Sequence, residues 1–135
     1  MSVFVDTSAV VGLLDESDPR HDALVAAWES LAGSGQFVTS NYVVVESFAV
    51  AQRRLGMKAA RAAHDAILPL IEIVFLAPEE HETAAAAFLA AGRRRLSFVD
   101  CTSFELMRRR GIASALALDA DFAEHGFELL PGPAD

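Results

Sequence analysis

Apolar positions fall into short dense runs, separated by longer segments in which apolar residues recur at helical spacing. The runs are "VFV" (3–5), "QFVT" (36–39), "EIVFL" (72–76), "ASALAL" (113–118) and "FELL" (127–130). They are near-continuous rather than alternating, as strands covered on both faces are. Between them, "HDALVAAWESLAG" (21–33) carries Leu24, Val25, Trp28 and Leu31 at the three- and four-residue steps of a helix. "NYVVVESFAVAQRRLG" (41–56) and "DCTSFELMRRRG" (100–111) both end in arginines and a glycine, which suits a helix C-terminus. "KAARAAHDAILPLI" (58–71) and "PEEHETAAAAFLAAG" (78–92) read as two more helices, the second opening on Pro78 and acids that suit a first turn. Strands alternating with helices predict an α/β layer fold with a mostly parallel sheet. No repeat, low-complexity tract or Pro/Gly-rich linker interrupts the pattern, so residues 1–135 are expected to form one domain.

Sheets of this kind collect their sites outside the carboxyl ends of the strands. Asp6 follows the first strand in "VFVDTSA", and Asp119 follows "ASALAL", with Asp121 two residues on. Asp100 opens a helix in "SFVDCTSF", and Glu46 lies one or two turns into the helix after "QFVTS". Aspartate is also a favoured helix cap, worth ~1 kcal/mol, so Asp6, Asp100 and Asp119 each admit a purely structural reading. Glu46 resists one, because its helical neighbours are Tyr42, Val43, Ala49 and Val50. The structural alternative for it is a pair with Arg53 or Arg54.

Composition narrows the classes. The chain is 53% hydrophobic, which suits a thick core, an apolar oligomer interface, or both. Its longest uninterrupted apolar run, "AAAAFLAA" (84–91), falls far short of the ~20 residues that span a bilayer. The N-terminus has no basic region and carries Asp6 within its apolar stretch, unlike a secretory signal. A single cysteine, Cys101, excludes an internal disulfide framework and suits a reducing, cytoplasmic setting. No histidine lies close to it in sequence to act as its base, so a buried structural thiol is expected. His21, His64, His81 and His125 show no metal-ligand spacing. The net charge of −8 runs against a nucleic-acid partner when taken alone, since such proteins are usually basic.

Convergence of the acids changes that picture. Carboxylates held close together raise one another's pKa and call for a counter-charge. Hard divalent cations supply it: magnesium takes oxygen ligands from a few carboxylates and a phosphate substrate. Two such ions can clamp an in-line phosphodiester displacement.

The segments "VFVDTSAVVGLLD", "SNYVVVES", "LSFVDCTSFELMRRRGI" and "LALDADFAEHGFELLPG" occur in the order and spacing of PIN-domain ribonucleases. The chain resembles, over nearly its whole length, the VapC-type toxins of toxin–antitoxin pairs. The resemblance implies a PIN-like three-layer fold and a magnesium- or manganese-dependent endoribonuclease acting on structured RNA through a carboxylate-held two-metal mechanism. It assigns the metal-binding and catalytic acids to Asp6, Glu46, Asp100 and Asp119, with Asp121 as a nearby substitute for the last. Thr7 would orient a carboxylate or water, and Ser103, one turn from Asp100, would serve likewise. It further implies a cognate antitoxin that blocks the site, and a homodimer. A PIN-like module that binds RNA or protein without cutting is the alternative. A phosphate-accepting receiver domain would want a lysine after a late strand, whereas the chain's one lysine, Lys58, lies on a middle helix.

The basic residues are clustered at Arg53–Arg54, Lys58 with Arg61, Arg93–Arg95 and Arg108–Arg110. Those at helix ends complement the helix dipole. The remainder are candidates for phosphate contacts, which would be salt-sensitive.

Overall fold

The computed structural model describes residues 1–132. Five strands, β1 (Ser2–Val5), β2 (Gln36–Ser40), β3 (Ile71–Val74), β4 (Ser114–Leu116) and β5 (Glu128–Leu130), form one sheet. Their order is β3-β2-β1-β4-β5, and every neighbouring pair is parallel. The chain starts at the centre with β1 and builds outward through β2 and β3. It then crosses to the other side for β4 and β5. The order therefore reverses between β1 and β4, and a crevice opens at the carboxyl ends of these strands.

Helices α1 (Thr7–Leu14), α2 (His21–Ala32), α3 (Asn41–Leu55), α4 (Met57–Ala62), α5 (Pro78–Ala91), α6 (Phe98–Arg110) and α7 (Asp121–Glu124) surround the sheet. The pleat of β1 shows how two cores arise from one strand. Phe4 points to a cluster with Phe104, Met107 and Phe122, under α5 and α6. Val3 and Val5 point the other way, to Ala9, Val10, Leu24 and Ile67 under α1 and α2. Val3, Phe4 and Val5 of β1 and the helix partners Phe104, Met107, Phe122 and Leu24 are essentially inaccessible to water. This is a three-layer α/β/α fold, and truncating a core ring such as Phe104 to alanine should cost ~3–5 kcal/mol. Helix α3 serves both layers: Val43 belongs to the first cluster, while Val44 and Phe48 pack against the second.

The structure corrects several boundaries. Helix α1 has no counterpart in the periodicity, because "TSAVVGLL" is apolar nearly all round. Gly12 lets it pack closely: a Cβ there would meet Leu24 Cδ2 at 2.6 Å. The expected helix over 58–71 is a six-residue α4, a π-helical turn (Ala63–Ile67) and a 3₁₀ turn (Leu68–Leu70). Pro69 donates no N–H and its ring crowds the carbonyl four residues back, so a regular helix stops there. Strand β4 ends at Leu116, two residues short of the "ASALAL" run. The backbone N–H of Leu118 leaves the ladder for the hydroxyl of Ser8. Asp100 does not open its helix: α6 begins at Phe98 with Ser97 as its cap.

Candidate active site

Asp6 is the N-cap of α1, immediately beyond β1, and is 4% exposed. Its backbone N–H donates to Leu116 O at 3.0 Å, tying the ends of β1 and β4 together across the crevice. Its Oδ2 accepts from Ser8 N at 3.2 Å and from Ser8 Oγ at 2.7 Å. Burial pushes its carboxyl up to about 7, opposed by the Ser8 hydrogen bonds and reinforced by the charges of Asp100 and Glu46. Asp100 is locked by a reciprocal cap: its N–H donates to Ser97 Oγ at 3.0 Å, and its Oδ2 accepts from Ser97 N at 3.1 Å. Its carboxyl is also raised, first by burial and then by Asp119 and Glu46, with the Ser97 bonds opposing.

Glu46 is half-buried and lines the same cleft, together with Asp6, Thr7, Ser8, Ser97, Asp100, Asp119, Val50 and Arg54. The cleft has a volume of about 270 Å³. Among the described residues, Glu46 has no ion-pair partner within 4.0 Å, so pairing with Arg53 or Arg54 does not explain it. Asp119 is half-buried in the turn before α7, and its Oδ1 accepts from Asp121 N at 2.9 Å. Oxygens of Asp100, Asp119 and Asp121 all lie within 4.8 Å of one another. Asp121 is the first residue of α7 and reaches this triplet from outside the cleft lining.

The carboxylates share one design. In Asp6, Asp100 and Asp119 a local backbone N–H holds one oxygen. The second oxygen of each has no hydrogen-bond donor among the described residues. This leaves a set of oriented, all-oxygen ligands. Thr7 strengthens the match, since its Oγ1 is buried at the cleft wall with no hydrogen-bond partner among the described residues. A buried orphan hydroxyl is costly unless something outside the protein satisfies it. The arrangement fits a hard divalent cation with its waters.

Two sequence candidates sit elsewhere. Ser103 is fully buried and its hydroxyl donates to Val99 O at 3.1 Å, within its own helix. Cys101 is 5% exposed, and burial raises its thiol pKa, as suits an inert core residue. Ser8 was missed. Its signal is the hydroxyl two residues after Asp6, the spacing at which an N-cap carboxylate meets the first turn.

A family model for the PIN domain matches residues 3–128. The chain is 36% identical over 126 residues to the Mycobacterium tuberculosis "23S rRNA-specific endonuclease VapC20", covering 93% of this chain and 95% of that one. The crystal structure of that VapC20, described as a sarcin–ricin loop cleaving toxin, superposes with a TM-score of 0.84 over the same shares of the two chains. VapBC2 from Rickettsia felis, solved bound to a promoter DNA fragment, shares the fold at a TM-score of 0.72 and 14% identity, covering 96% of this chain and 97% of its own. The all-parallel sheet, the acid cleft at its switch point and these matches agree: the chain belongs to the PIN-domain family.

Proposed function

We propose that this chain is a divalent-metal-dependent endoribonuclease and the toxin half of a type II toxin–antitoxin pair. The observation that carries the reading is the meeting of Asp6, Glu46, Asp100 and Asp119, from four separated segments, in one cleft with no ion pair among the described residues to offset them. Such a concentration of like charge is unfavourable without a bound cation. The free oxygens of Asp6, Asp100 and Asp119, with Glu46, would hold it, and Asp121 would support the Asp100–Asp119 side. When bound, magnesium or manganese supplies Lewis acidity at the phosphodiester and lowers the pKa of water in the site. The protein does the positioning. Ser8 and Ser97 fix the Asp6 and Asp100 carboxylates, and Thr7 Oγ1 offers a hydrogen bond to a water or phosphate oxygen in the cleft.

The 36% identity to a ribosomal RNA endonuclease makes 23S rRNA the first substrate to test. We place the antitoxin over the acid cleft, and the exposed apolar side chains Val45, Phe75 and Leu89 suit self-pairing or a partner. Among the described residues no helix is long and apolar enough to cross a membrane, consistent with work on cytoplasmic RNA. The test is to map new RNA ends after incubating the purified chain with ribosomes and manganese. A unique cut in 23S rRNA supports the reading. Intact rRNA and tRNA alongside tight antitoxin binding would favour a non-cutting module.

A further inference from the structure

We propose that Arg54 is the phosphate anchor of the substrate site, gripping the RNA backbone beside the acids and setting the strand's path across the cleft. This rests on the ribonuclease reading and adds a residue to it. Glu46, Val50 and Arg54 follow one another at four-residue steps along α3, and all three line the cleft. Four-residue steps stay on one helix face, so Arg54 lies two turns, about 12 Å along the axis, from Glu46. It stands at the end of the acidic floor, where an RNA strand entering the cleft would meet it.

Arg54 is exposed, and among the described residues it has no carboxylate within 4.0 Å. Asp15, at the end of α1, feels its charge but is held by Ser17 N and Oγ instead. A guanidinium left free at the rim of an acid cleft retains its full fork for a phosphate.

Among the described residues no other arginine lines the cleft, and several are engaged elsewhere. Arg108 lies over the rings of Phe104 and Phe127, at 6.0 and 5.9 Å. Arg109 is bonded to Glu105, and Arg110 and Arg93 lie 3.7 and 3.8 Å from Glu72 and Glu124. Arg53 shares the last turn of α3 with Arg54 but is absent from the cleft lining. It therefore controls for the bland alternative, in which both arginines only complement the helix dipole.

The test compares Arg54→Gln and Arg53→Gln with the unmodified chain. Binding of a fluorescein-labelled 23S rRNA hairpin carrying the sarcin–ricin loop is followed by anisotropy across a salt series in metal-free buffer. Manganese-supported cleavage gives KM and kcat. Arg54→Gln should weaken binding about tenfold and lower the slope of log K against log salt by about 1. It should raise KM with little change in kcat, and Arg54→Lys should recover part of the loss. Arg53→Gln should match the unmodified chain in both assays. Equal effects from the two substitutions, an unchanged salt slope for Arg54→Gln, or no RNA binding by the unmodified chain would overturn the proposal. RNA that is bound but never cut would instead remove the ribonuclease reading, and the slopes would still decide the role of Arg54.

Discussion

Ser8 holds Asp6 in place: its hydroxyl donates to Asp6 Oδ2 at 2.7 Å while accepting from Leu118 N at 2.9 Å. One side chain thus orients the first acid and pins the loop after β4 to the end of β1. Removing it as Ser8→Ala leaves Leu118 N unsatisfied and Asp6 freer to rotate. Groups that orient metal ligands typically matter 10–100-fold, so cleavage and manganese affinity should fall by roughly that factor. Because the Ser8 bonds favour the charged form of Asp6, the acidic limb of the pH–rate profile should also move to higher pH. An unmoved profile with full activity would mean Ser8 only caps the helix.

The raised carboxyl of Asp6 makes the metal-free fold pH-sensitive. Between the ordinary value of 3.8 and about 7, the folded chain binds more protons than the unfolded one. Stability contributed at low pH is therefore lost as the pH rises through that window. Asp6→Asn removes the charge, so in metal-free buffer it should melt roughly 5 °C or more above the unmodified chain at pH 8. At pH 4 the two should melt together. A difference that is the same at both pH values would contradict the burial of an unpaired charge.

Cation binding should reverse this cost. Manganese or magnesium at saturating concentration should raise the melting temperature of the unmodified chain by several degrees at pH 8, through linkage to the folded state. The gain should disappear in Asp100→Asn, which removes a carboxylate that clusters with those of Asp119 and Asp121. Calorimetric melts with and without metal measure it directly. An equal gain in both proteins would place the cation elsewhere.

Asp119 and Asp121 should separate in strength. Asp119 lines the cleft and its Oδ1 is held by Asp121 N, whereas Asp121 stands outside the lining at the start of α7. Asp119→Asn should lower cleavage strongly, and Asp121→Asn mildly, with high manganese recovering part of each loss. Cleavage measured against manganese concentration for the two variants decides the order, and a larger loss from Asp121→Asn would reverse the assignment.

Much of this site was legible because strand ends can be read from dense apolar runs. Asp6 and Asp119 stand just after two such runs, and Glu46 betrays itself by interrupting an apolar helix. What stayed hidden depended on three-dimensional partners. Helix α1 escaped because it is buried or half-buried along its whole length and has no polar face to give it a period. The early end of β4 escaped because Leu118 N leaves the ladder for a serine 110 residues away. Asp100 was placed at the start of its helix, yet it occupies the third position, where Ser97 and Asp100 cap each other. The meeting of four acids scattered in sequence was legible from their places after strand ends, and the reversal of strand order between β1 and β4 brings it about.

The acid cleft is expected to cut RNA with a bound divalent cation. The most direct measurement is cleavage of purified ribosomes by the unmodified chain, Asp6→Asn and Asp100→Asn, each with manganese and with excess chelator. Cutting is expected only from the unmodified chain with metal, and at least about 100-fold less from either variant. Undiminished cutting in chelator, or by Asp6→Asn, would contradict it.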